Sequence, residues 1–105
     1  MKKKGEVFWY PAQDNKMRFF PRRATVLENG MDTIAVNAEV ASVQDGMVLV
    51  KPKRTFLDES KLFDAETHCR QKCIELMRAR RSAFLAEHGS NMRAVDATLR
   101  ELEGL

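Results

Sequence analysis

Two dipeptides, Asn29-Gly30 and Asp45-Gly46, constrain the fold of this chain more than any other feature. Each is a two-residue turn of the kind that wants φ > 0 at both central positions, and each lies between β-rich runs. Together they predict three consecutive antiparallel strands and fix their register. Counting outward from the first turn pairs Arg22 with Asn37 and Arg23 with Val36. Counting from the second pairs Arg54 with Asn37 and Lys53 with Ala38. Phe19-Phe20-Pro21-Arg22-Arg23 and Lys51-Pro52-Lys53-Arg54 are then expected to flank one stretch of a middle strand, building a basic ridge from two distant segments.

The remaining strand signals complete an antiparallel meander: Glu6–Tyr10, closed by Pro11, then Met17–Glu28, Asp32–Gln44 and Met47–Phe56. The apolar phases of these strands conflict. Leu27, Thr25 and Phe19 share a face with Ile34, Val36, Ala38 and Val40. In the second hairpin, Val43 with Val48 and Ala41 with Val50 pair in the opposite phase. One strand buries both sets only with a bulge or sharp bend, expected near Val40–Ser42. Pro21 and Pro52 cannot donate to a ladder, so strands two and four are expected to be edge-like at that level. The layout of residues 5–56 resembles SH3-like barrels such as those of Tudor-type domains. The resemblance rests on architecture and implies a half-barrel, with no binding residues carried over.

From Leu57 the period changes. A polar connector over 57–63, with room for one helical turn, precedes a helix expected from Ala65 to about His88 with Asp64 as its N-cap. Cys69, Cys73, Leu76, Met77 and Phe84 form its apolar stripe. Gly89 ends it, and Ser90 caps a second helix to about Glu103. Met92, Val95, Leu99 and Leu102 make a clean stripe there at spacings of three and four. The fold class is therefore α+β: a strongly bent four-stranded sheet over residues 1–56 and a helical hairpin over 57–105, in a single compact domain. The second stripe packs on the preceding helix or serves association, including a homodimer.

Charge is unevenly spread. The 105 residues carry a net charge of +3, but residues 1–54 account for +4 and residues 55–105 for −1. A positive β half suggests a polyanionic partner, nucleic acid or an acidic protein face. Arg22, Arg23, Lys51, Lys53 and Arg54 would meet phosphates, with Trp9 or Tyr10 offered for stacking. The Lys51–Arg54 run also reads as a short nuclear-import-like motif, a pattern common by chance. Arg78, Arg80 and Arg81 form a second cluster, read by default as a solvated face.

Several chemistries find no support in the sequence. There is no G-x-S-x-G, P-loop or H-E-x-x-H, and the chain is not expected to be an enzyme or to carry a cofactor. Asp58, Glu59, Asp64 and Glu66 more simply favour a helix start. Cys69 and Cys73 share a helical face, but His88 stands about 22 Å along the helix from Cys73, so no metal site is expected. Two thiols without a disulfide framework fit a reducing, cytoplasmic compartment. No apolar run is long enough for a membrane span or a secretory signal. The function expected is a non-enzymatic nucleic-acid-binding accessory protein. The alternative is a protein-interaction adaptor or inhibitor that blocks a larger complex.

Overall fold

The computed structural model describes residues 2–88 and 93–104; Gly89, Ser90 and Met92, and the side chains of Phe84 and His88, lie outside what it describes. Strands β1 (Val7–Gln13), β2 (Phe19–Asn29), β3 (Ile34–Gln44) and β4 (Met47–Leu57) form one antiparallel sheet in the order β1-β2-β3-β4. A 3₁₀ turn at Glu59–Lys61 leads to α1 (Glu66–His88) and α2 (Arg93–Leu102). The α+β layout, a four-stranded meander followed by two helices, is the one expected.

The second hairpin follows its turn chemistry. Asp45 and Gly46 take φ of 51° and 77°. The ladder then runs unbroken from Gln44↔Met47 to Ile34↔Leu57, with Arg54 opposite Asn37 and Lys53 opposite Ala38. The first turn departs from expectation. The Gly30 N–H donates to the Thr33 carbonyl at 2.9 Å, so the chain reverses over a longer loop. A bulge between Val26 and Glu28 absorbs Leu27. As a result Thr25, rather than Arg22, lies opposite Asn37, and Val26, rather than Arg23, lies opposite Val36. Gly30 serves close approach here instead of positive φ: a Cβ on it would stand 2.5 Å from the Thr33 carbonyl oxygen.

The phase conflict is resolved without a bulge at Val40–Ser42, where the β3–β4 ladder is continuous. Instead β2 and β3 part after Ala24↔Ala38. Beyond that point residues 19–23 pair only with β1, and residues 39–44 only with β4. The first hairpin's inner set is then buried, whereas of the second hairpin's set Ala41 is buried and Val48 and Val50 stay exposed. Side chains bridge the parting. The Tyr10 hydroxyl donates to the Glu39 carbonyl at 2.5 Å, and the Arg23 N–H donates to Glu39 Oε1 at 3.1 Å. The Asn15 amide donates to the Val43 carbonyl at 3.0 Å and accepts from the Val43 N–H at 2.7 Å. Each bond satisfies a backbone group that a ladder partner would otherwise take.

At the level of Pro21 strand β2 pairs only with β1 and is edge-like, as expected, while it is internal from Ala24 onward; β4 is an edge strand. Prolines sit where no ladder bond is lost. Pro11 lies inside β1, opposite Pro21, and both fall between the hydrogen-bonded pairs of that ladder. The imide nitrogen of Pro21 faces the side where β3 has already departed. That of Pro52 faces the open edge of β4.

Two cores result. Inside the curl, Phe8 packs over Ala24 and Ala38, whose small side chains let the strands bend tightly, and Val26, Ile34, Val36 and Leu62 complete the interior. Trp9 N–H and C=O exchange 2.8 Å bonds with Phe63, so the chain returning from β4 covers the free edge of β1. Trp9, Phe19 and Phe20 then meet Cys69, Cys73, Met77, Leu99 and Leu102 of the helices in a second cluster.

The two turn glycines should separate in a stability measurement. Gly46→Ala meets no atom within 4 Å and is expected to lose about 1–2 kcal/mol through left-handed backbone strain alone. Gly30→Ala must also displace the Thr33 carbonyl. Its amide spectrum should change throughout residues 30–33, whereas that of the Gly46 variant should change only at its turn.

Candidate nucleic-acid interface

The residues of the expected ridge fall on two faces, because side chains alternate along each strand. Lys51 and Lys53 share the face of Ala38 and Tyr10; Arg23 and Arg54 share the opposite face with Trp9 and Asn37. Neutralisation differs as well. Arg23 grips Glu39 through both ends of its guanidinium, Nε to Oε1 at 3.3 Å and a terminal nitrogen to Oε2 at 3.0 Å. That hydrogen bonding holds the Glu39 carboxyl below its ordinary value and raises Arg23. Arg54 comes only to 4.0 Å from Glu28, both side chains being well exposed, an arrangement worth little. Among the described residues, Lys51 and Lys53 meet no carboxylate, and both are exposed.

The expected aromatic platform is occupied elsewhere. Tyr10 is buried at 8% exposure within the curl and carries the bond to Glu39. Trp9 is half-buried against the helices. The open aromatic is Phe56 of β4, 63% exposed, with the Arg54 guanidinium 5.7 Å from its ring centre. Sequence reasoning missed it, although its place two residues after Arg54 already puts both on one face. Val48 and Val50 are also exposed on that face. There a groove of about 320 Å³ runs between Val7, Thr25, Asn37, Val50 and Pro52, with the Arg23–Glu39 pair in its wall.

Arg22 does not join this surface. It is half-buried, about 5.9 Å from the Phe20 ring, and its Nε is buried with no hydrogen-bond partner. An unmet buried donor costs about 1–3 kcal/mol.

The helices hold each other. Arg78 bonds Glu103 at 3.0 Å and Arg81 bonds Asp96 at 2.9 Å, so much of the second basic cluster is spent between α1 and α2. Leu99 and Leu102 are buried and Val95 packs against the same cluster, leaving these three association-stripe residues occupied within the chain. Cys69 and Cys73 are free and fully buried; their mutual hydrogen bond and burial push the Cys69 thiol up. No group of three or more His, Cys, Asp or Glu is placed to hold a metal among the described residues. No described helix is long and apolar enough to cross a membrane.

No family model, curated protein or solved structure matches this chain. What the structure shows is a four-stranded antiparallel meander followed by two helices.

Burial pushes the Tyr10 hydroxyl up to about 12, Arg22 opposing and Glu39 adding to the shift. As Tyr10 is the single tyrosine, phenolate absorbance reads it alone. The folded chain should show no ionisation near pH 10. Because the folded state holds the proton more tightly, stability should fall as pH rises above about 10, the unfolded value.

Proposed function

We propose that this chain is a non-enzymatic, cytoplasmic nucleic-acid-binding accessory protein that takes the phosphate backbone along β4. The observation that carries this reading is the charge of that strand: Lys51, Lys53 and Arg54 within eleven residues that include no acid. A position on the edge matters for a physical reason. Side chains on opposite faces of an internal strand are kept apart by the sheet, whereas those of an edge strand can close on one ligand from both sides. Lys51 and Lys53 approach from one face and Arg54 with Phe56 from the other. Phe56 offers the stacking surface that Trp9 and Tyr10 do not. Pro52 removes a backbone donor from the open edge, which favours recognition by side chains over the addition of a partner strand.

A protein-interaction reading is favoured by the exposed Met47, Val48 and Val50 beside these cations. Its partner would be a protein surface both acidic and apolar, held by an adaptor or inhibitor, or a second copy of the chain.

Fluorescence anisotropy with single-stranded and duplex oligonucleotides across a salt series tests the first reading. Affinity should fall steeply with salt. The double variant Lys51→Gln/Lys53→Gln should lower the slope of log affinity against log salt by about two, each lost phosphate contact removing roughly one, with a similar loss on every sequence. Phe56→Ala should weaken single-strand binding by about 1–3 kcal/mol and leave duplex binding nearly unchanged. Binding that ignores ionic strength would sink the reading.

A further inference from the structure

We infer that the hollow where β2, α1 and α2 meet binds a small zwitterion, with a free apolar α-amino acid as the simplest chemical fit. The hollow measures about 250 Å³ and is lined by Phe20, Pro21, Arg22, Arg70, Glu101 and Leu102. Arg70 is already neutralised by Glu66, one turn back on α1. Arg22 closes no ion pair or hydrogen bond among the described residues: it lies in the field of Glu39 and 5.9 Å from the Phe20 ring, and its Nε is buried without an acceptor. Glu101, which also lines the hollow, likewise forms no ion pair among the described residues. Opposite charges therefore line one small hollow without meeting each other.

A ligand carrying both charges satisfies both groups. Its carboxylate accepts from the Arg22 guanidinium, a geometry that suits the planar donor fork. Its ammonium donates to Glu101. Phe20 and Pro21, both half-buried, offer apolar surface in the same hollow above the buried Leu102, which accommodates an apolar side chain. A doubly charged anion such as a phosphomonoester fits less well, because Glu101 opposes it and Arg70 is spent on Glu66. The site is separate from the β4 surface and shares no residue with Lys51, Lys53, Arg54 or Phe56.

The test uses the full chain, with the Arg22 Nε–H resonance as reporter and L-leucine as probe. L-Leucine should shift that resonance saturably. N-acetyl-L-leucine, which lacks the ammonium, and L-leucinamide, which lacks the carboxylate, should each bind about tenfold or more weakly. Glu101→Gln should reduce L-leucine binding about as much as acetylation does, while leaving N-acetyl-L-leucine little affected. Arg22→Met, checked for folding by circular dichroism, should abolish L-leucine binding measured by calorimetry; if that variant does not fold, the exposed Glu101→Gln decides. The inference is overturned if millimolar L-leucine produces no saturable shift, if the three probes bind alike, or if Glu101→Gln changes nothing.

Discussion

The parting of β2 from β3 beyond Ala24 and Ala38 is the constraint on which the rest of the structure depends. A flat four-stranded sheet would force the two phases of apolar residues onto opposite faces and leave one of them in water. Letting the strands separate closes the inner phase around Phe8 and leaves Val48 and Val50 of the other phase exposed, and it strips backbone groups of their partners. Tyr10, Arg23, Glu39 and Asn15 supply what the ladder gave up. Without those bridges the curl would carry unmet donors and acceptors at its bend, and Phe8 would lose the enclosure that Ala24 and Ala38 allow.

The same parting organises the two cores. Because residues 19–23 follow β1 alone, Phe19 and Phe20 swing away from β3 and become available to the helices. The chain leaving β4 then has a free edge of β1 to return to, and the Trp9–Phe63 exchange takes it. Helix α1 is thereby delivered onto the β1–β2 hairpin, and the ion pairs from Arg78 and Arg81 seat α2 beside it. Asp14 stabilises the turn that joins β1 to β2. Burial alone would raise its carboxyl, yet the N–H groups of Lys16 and Arg18 and the Arg18 guanidinium outweigh that and hold it low.

How much of this the sequence discloses depends on how local the cause is. Asp45-Gly46 determines its hairpin through two residues' φ angles, and every pair from Gln44↔Met47 to Ile34↔Leu57 follows by counting. Asn29-Gly30 has the same composition signal but lies beside Met31-Asp32-Thr33, and the loop closes on Thr33 instead; no turn rule distinguishes the two cases. The longer loop shifts the β2–β3 register by four places and the bulge at Leu27 returns one, so Arg22 and Arg23 fall beyond the end of that ladder. Met17, with φ of 63°, turns the chain without a glycine to announce it. The candidate surface was legible in its charges and not in its partners. Glu39 and Glu28 sit far from Arg23 and Arg54 in sequence, and only the true register brings them close enough to neutralise one and touch the other.

Adjacent positions on β1 place the single tryptophan and the single tyrosine in different cores: Trp9 looks outward into the helix cluster, and Tyr10 looks inward to the curl. One dipeptide therefore reports on two bodies of packing with two spectroscopically separable chromophores. Indole emission follows the docking of the helices, and phenol absorbance follows the closure of the sheet. Whether the chain melts as one cooperative unit or releases its helices first can be read from the natural protein, without a label.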